Sequence, residues 1–168
     1  MTMDSSTVVV RITTEEDWEI LKAVRLAALQ DSPAAFGVSH ATAAAYSEQQ
    51  WRERASPGTQ PEYLLAIDRD RVVGLIGDAV TSSQEYHLIS TWVHPEYRGQ
   101  GIARRLIEAI KARAIEREHR RVVLSVSPDN DQAARLYRRQ GFVFLPEWEA
   151  LASRPGVKAQ KMEWRASD

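Results

Sequence analysis

HPEYRGQGIA, residues 94–103, places two glycines, an arginine and a proline between an apolar run and a long helical pattern. Upstream, Tyr86 to Val93 reads as a strand. Downstream, Ile102, Leu106, Ile107 and Ile110 fall on one helical stripe, and the spacing predicts a helix from Arg98 to about Glu118. The stretch is therefore a strand-to-helix connection. A helix start carries unpaired backbone N–H groups and partial positive charge. Glycine at 99 and 101 leaves those groups approachable, and Arg98, Arg104 and Arg105 add fixed charge. Two readings follow from these residues alone: a glycine-containing turn with a solvated basic face, or a pyrophosphate cradle.

Outward from that stretch the period of the sequence changes several times. Val8 to Ile12 is a strand. Thr14 stands as an N-cap, followed by Glu15, Glu16 and Asp17. Trp18, Leu21, Val24, Arg25 and Ala28 then recur at helical spacing up to Asp31-Ser32-Pro33. A second helical stretch covers about 40 to 54, with Tyr46 and Trp51 as packing anchors. Tyr63 to Ile67 and Val72 to Val80 form a hairpin around Asp68-Arg69-Asp70. Arg121 to Val126 is a strand apolar enough for burial on both faces. Asp131 to Gln140 is a short helix closed by Gly141. Phe142 to Leu145 and Ala159 to Trp164 are two last strands, with a long loop between them around Arg154-Pro155-Gly156. Such an order is neither a regular βαβ alternation nor an all-β series. It predicts an α/β (α+β) fold, a mixed sheet with helices on both faces.

The bulk properties narrow the class. The chain has 168 residues, 43% hydrophobic and 27% charged, which suits one soluble domain. A formal net charge of −1 gives no whole-chain case for nucleic acid or a membrane surface. There is no cysteine, hence no disulfide, thiolate metal site or acyl-cysteine intermediate on this chain. No histidine–carboxylate spacing suggests zinc, so no metal is expected. The first ten residues lack the pattern of a signal peptide, and no run reaches the roughly 18 apolar residues of a membrane span. A cytoplasmic protein is expected. The basic run from Arg113 to Arg121 reads as a solvated helix face, or alternatively as a receiver for a phosphate.

Phosphate motifs of other kinds fit poorly. A Walker loop needs a lysine that is missing here, and a dinucleotide fingerprint needs a third glycine where Arg104 stands. Val93 to Ala103 instead resembles the acyl-CoA signature of the GNAT superfamily of N-acetyltransferases, [RQ]-x-x-G-x-[GA]. Asn130 to Phe142 resembles the same family's N-x-x-A-x-x-L-Y-x-x-x-G-F segment. The two are separated by one helix and one strand, as that fold requires. Arg25-Leu26 to Phe36-Gly37 is similar to a bacterial branch of the superfamily.

The resemblance implies a single N-acetyltransferase domain over 1–168, with its core at about 8–165. It implies a largely antiparallel twisted sheet whose fourth and fifth strands splay apart around the pantetheine arm. It implies acetyl-CoA as cosubstrate, contacted by Trp92, Val93, Arg98, Gly99, Gln100, Gly101, Ile102, Ala103, Arg104 and Asn130. Tyr137 would give a proton to the leaving thiolate; helix spacing alone favours a core tyrosine, and the matched motif reverses that preference. Where relatives carry a base, a glutamate on the fourth strand or a carboxylate on the fifth, this chain has His87 and Ser125, with Glu85 nearby. His87 is the candidate base, a sheet-surface histidine its plainer reading, and a water-mediated route the alternative. The acceptor would be an amine: a small amine, an amino acid, an antibiotic or a peptide N-terminus. A homodimer is a possible assembly, through sheet edges or C-terminal strands. A non-catalytic acyl-CoA sensor and a nucleotide-binding domain of another type are the competing functions.

Overall fold

The computed structural model describes residues 7–31, 39–58, 60–150 and 156–167. Seven strands run β1 (Val8–Ile12), β2 (Glu62–Asp68), β3 (Arg71–Val80), β4 (Tyr86–Val93), β5 (Arg121–Val126), β6 (Val143–Ala150) and β7 (Lys158–Arg165). Five α-helices accompany them: α1 (Trp18–Asp31), α2 (His40–Ala44), α3 (Glu48–Ala55), α4 (Ile102–Glu116) and α5 (Asp131–Arg139). The strands form one sheet in the order β1-β2-β3-β4-β5-β7-β6. Every neighbouring pair is antiparallel except β4 and β5, which are parallel. The expected mixed sheet, largely antiparallel with helices on both faces, is the fold observed.

Two cores lie on the two faces. On one, α4 and α5 place Leu106, Ile107, Ile110 and Tyr137 against Val73, Ile76, Leu88, Val93, Leu124 and Met162. On the other, α1 and α3 place Leu21, Leu29, Trp51 and Ala55 against Tyr63, Leu65, Leu75 and Trp92. Trp92 and Val93 thus face opposite sides, as strand alternation requires. Gly74 lets α4 approach β3: a Cβ there would lie 3.2 Å from both Ala66 and Leu106. No helix among the described residues is long and apolar enough to cross a membrane.

Several local expectations are corrected. The helical stretch of 40 to 54 is two helices, because Ser39 caps α2 and Ser47 starts α3 with a capping box to Gln50. The helix expected from Arg98 begins at Ile102. Pro95–Tyr97 forms a short 3-10 turn capped by His94, and Gly99 and Gly101 take φ +80 and +81, which breaks helical continuity. β6 is longer than Phe142 to Leu145, with a register shift between Phe144 and Trp148. Ser32, Pro33, Phe36, Gly37, Arg154 and Pro155 lie outside the described residues. Gly141 does close α5: at φ +92 it donates its N–H to the Arg138 carbonyl at 3.0 Å.

The basic run 113–121 is solvated only in part: Arg117 and Arg120 are exposed, whereas Arg113 turns inward. Arg113 reaches Asp78 at 2.9 Å and Glu62 at 3.2 Å, and Arg117 reaches Glu62 at 2.9 Å. Glu62 and Asp78 are both buried, so the run is spent on internal carboxylates rather than on a phosphate. Burial pushes the Glu62 carboxyl up, but the Gly58 N–H and the two arginines outweigh it and hold it below its ordinary value. Arg113→Met would leave Asp78 buried without its cation. A loss of about 3 kcal/mol or more in urea denaturation is expected, with the denaturant slope unchanged.

Candidate active site

The site begins where β4 and β5 part. These parallel strands share one matched pair, His87 with Val123. Past it, β4 bulges: Gly77 pairs with Ile89 and Leu75 with Trp92, so Ile76 alone opposes Ser90 and Thr91. Ser90 sits at φ +58 to make the bulge. A bulge adds twist and bends its strand, which turns β4 away from β5. Because the strands are parallel, their C-terminal ends and the loops that follow lie at one edge of the sheet.

At that edge the backbone of Val93 is turned outward. His94 donates its N–H to the Val73 carbonyl at 2.8 Å. In an antiparallel ladder the adjacent pair, Gly74 with Val93, is then of the non-hydrogen-bonded kind. Val93 accordingly directs its N–H and carbonyl toward the β5 side. Its carbonyl accepts from Arg98 Nε at 3.0 Å, which leaves the N–H facing the cleft.

The loop that follows presents its backbone to open space. Gly101 is the N-cap of α4 and provides no side-chain cap, so the first N–H groups of a 15-residue helix have no capping partner. A Cβ at Gly99 or Gly101 would meet nothing within 4 Å, so these glycines serve their left-handed backbone and leave open space before it. Gln100 adds a buried Oε1 with no hydrogen-bond partner. Ile102 has its side chain in the core, and only its backbone faces the loop. Ala103 packs partly against the same core.

The arginines behave differently from the expected ring of free charge. Arg98 is tied to Asp31 at 2.6 Å as well as to Val93, so it braces the end of α1 against β4. Trp92 Nε1 donates to the same Asp31 carboxylate at 3.0 Å, and the Trp92 side chain belongs to the α1 face. Arg105 donates to the Val8 carbonyl at 2.8 Å. Arg104 lies on the exposed surface beside Glu108 at 3.5 Å, and Arg98, though also exposed, is committed to Asp31. The sequence could not show this, because the partners lie on β1 and α1, far away in the chain.

Across the gap, β5 leads to α5. Asn130 caps that helix, its Oδ1 accepting from the Ala133 N–H at 3.2 Å. It also lines a cleft of about 390 Å³ with Val126, Ala134, Arg138 and Phe144. Tyr137 lies about two helical turns further on, buried and packed edge-on to Phe142 at 5.9 Å. Its hydroxyl faces Thr91 in the β4 bulge. Burial pushes the phenol up, and the Thr91 hydroxyl opposes that in part; the two do not form a full hydrogen bond, since Thr91 Oγ1 is buried without a partner at bonding geometry. Burial thus keeps Tyr137 protonated at neutral pH, and among the described residues its hydroxyl makes no hydrogen bond of full geometry.

His87 stands at the last matched pair of β4 and β5. Its Nε2 lies 2.6 Å from Glu85 Oε1, a partner that the sequence left in a loop. Glu85 is held in turn by Arg121 at 3.0 Å and Lys161 at 3.6 Å. Burial works against its charge, but the His87 hydrogen bond and these cations keep its pKa below the ordinary value. Ser125 is bonded to Glu149 on β6. The structure thus brings Val93, the 98–104 loop, Asn130 and Tyr137 to one edge, and sets His87 four residues before Thr91 on the same strand.

A parallel pair that parts beside an uncapped helix start is the arrangement at this edge of a mixed α/β sheet. The family model for GNAT acetyltransferases matches residues 25–142, and the chain belongs to that family. N-alpha-acetyltransferase 30 of Schizosaccharomyces pombe is 35% identical over 91 residues, 49% of this chain and 58% of that protein. The chain therefore spans less than two thirds of that curated relative. Among solved structures, Arabidopsis thaliana NAA60 in complex with a bisubstrate analogue has a TM-score of 0.71 at 19% identity, covering 96% of this chain and 100% of that one. The PaiA N-acetyltransferase of Thermoplasma acidophilum, in complex with coenzyme A, has a TM-score of 0.67 at 18% identity, covering 94% and 98%.

Gly101→Glu forces a side chain into the left-handed region and puts negative charge at the start of α4. Coenzyme A binding measured by calorimetry should be lost, while the unliganded fold keeps its circular dichroism spectrum. Unchanged affinity would exclude this loop as the binding site.

Proposed function

We propose that the protein is an N-acetyltransferase that moves the acetyl group of acetyl-CoA to a primary amine by direct attack. One observation supports this most strongly: the Tyr137 hydroxyl, kept protonated by burial, faces Thr91 in the β4 bulge that leads to Val93. The likeness to a structure that holds coenzyme A supports acetyl-CoA as the cosubstrate.

The backbone N–H groups of residues 99–103 bind the pyrophosphate, and Arg104 adds charge at the rim. Asn130 keeps its amide nitrogen for the pantetheine arm while its oxygen caps α5. The Val93 N–H faces the thioester carbonyl and stabilises the negative charge that grows on that oxygen as the amine nitrogen attacks. When the carbon–sulfur bond breaks, the Tyr137 hydroxyl gives its proton to the departing thiolate. The amine must lose a proton as well. His87 receives it through water: a neutral ring that donates Nε2–H to Glu85 leaves Nδ1 as the basic nitrogen.

A sensor that only binds acyl-CoA has no use for an acid at the thioester. The separating test is thiol release from acetyl-CoA across a broad panel of amines. Release with at least one amine is expected. Tight coenzyme A binding with no turnover anywhere on the panel would favour the sensor.

Two substitutions test the roles. Tyr137→Phe removes the proton and keeps the packing, so turnover should fall well over about tenfold with coenzyme A affinity nearly unchanged. His87→Ala should flatten the rising limb of the pH–rate profile. An unaltered turnover in the first or an unaltered profile in the second would remove that residue from the chemistry.

A further inference from the structure

α1 sends a charged side chain into the core of its own face. Arg25 is 6% exposed, and Nη1 donates to Ser90 Oγ at 2.7 Å, in the β4 bulge. Its guanidinium lies over the Tyr63 ring at 5.5 Å. Its Nε is buried with no hydrogen-bond partner. Arg54, on α3, stacks on the Tyr46 ring at 3.9 Å and gives its Nη1 to the Gln50 carbonyl at 3.3 Å. Both arginines act electrostatically on the Tyr63 phenol, which burial pushes up and their charges pull back down. Among the described residues neither Arg25 nor Arg54 is paired with a carboxylate.

A buried guanidinium without a carboxylate is unusual. Desolvating such a cation is unfavourable by several kcal/mol, and a hydroxyl and an aromatic face offset only part of that. Elsewhere around the β4–β5 opening the charges are matched. Glu85 is met by Arg121 and Lys161, and Glu163 by Arg121 and Arg165. The excess charge beside the bulge is therefore positive, and it sits on the α1 face against Ser90 of the bulge. Gly77 lets Tyr63 and Ile89 pack closely beside the bulge: a Cβ there would lie 3.0 Å from both. A planar guanidinium with spare N–H groups suits a carboxylate.

We propose that Arg25, supported by Arg54, recognises a carboxylate on the acceptor, so that the preferred acceptor is an amine that also carries a carboxylate, such as an amino acid. This rests on the N-acetyltransferase reading and narrows it. The test compares matched acceptors with acetyl-CoA: amino acids, their carboxamides and their decarboxylated amines. The wild type should favour the carboxylate member in kcat/KM by about 10- to 100-fold, the range of a charge-assisted hydrogen-bonded contact. Arg25→Met should bring that ratio near one, whatever it does to KM for acetyl-CoA. Arg25→Lys should retain part of it. Should Arg25→Met fail to fold, Arg54→Gln, on a half-buried residue, should lower the same ratio severalfold.

Binding gives a second readout. N-acetyl amino acids should raise the melting temperature of the wild type more than their amides do, and Arg25→Met should lose the difference. Amines acetylated with no regard to the carboxylate would overturn this inference and leave the transferase reading standing. Coenzyme A binding without acetylation of any amine would overturn both.

Discussion

A single matched pair holds β4 to β5. Had the two strands stayed paired along their length, the sheet would be continuous and Val93 would have no free N–H to present. The bulge at Ser90 and Thr91 prevents that. It bends β4 at the point where Arg25 grips it from one face and Tyr137 approaches it from the other. The opening thus depends on a local irregularity of one strand, stabilised from both cores. Parallel direction then places the glycine loop and the α5 cap at the same edge, where one extended ligand could touch both.

The structure also separates charge that orients from charge that binds. Arg98 lies in the middle of the glycine loop, yet its guanidinium holds α1 and β4 together through Asp31 and the Val93 carbonyl. Arg105 serves β1, and Arg113 and Arg117 serve buried carboxylates under α4. What remains for an anion at the loop is chiefly backbone: the uncapped N–H groups at the start of α4, reinforced by the helix dipole. That economy suits a chain with a net charge near zero, whose basic residues are mostly committed to internal partners.

Much of this was legible before any coordinates. Gly141 marked the end of α5, the strand and helix order predicted the mixed sheet, and the family resemblance implied that its fourth and fifth strands part. The signals that failed were those that depend on distant partners. Nothing near Arg98 in sequence announces Asp31, and nothing near Arg113 announces Glu62 and Asp78. The division of α2 from α3 was readable from Ser47 and Gln50, a capping box inside a helical period. Arg25 was visible only as one residue on a helical stripe. Its burial, and its contact with Ser90, follow from packing of α1 on a bulge that no local pattern marks.

Amide hydrogen exchange followed by NMR tests the opening most directly. On adding acetyl-CoA, the Val93 amide and those of residues 99–103 should slow together, since all of them face the ligand without an intramolecular partner. Protection confined to the cleft around Ala134 and Arg138, with Val93 exchanging as before, would contradict a thioester site between β4 and β5.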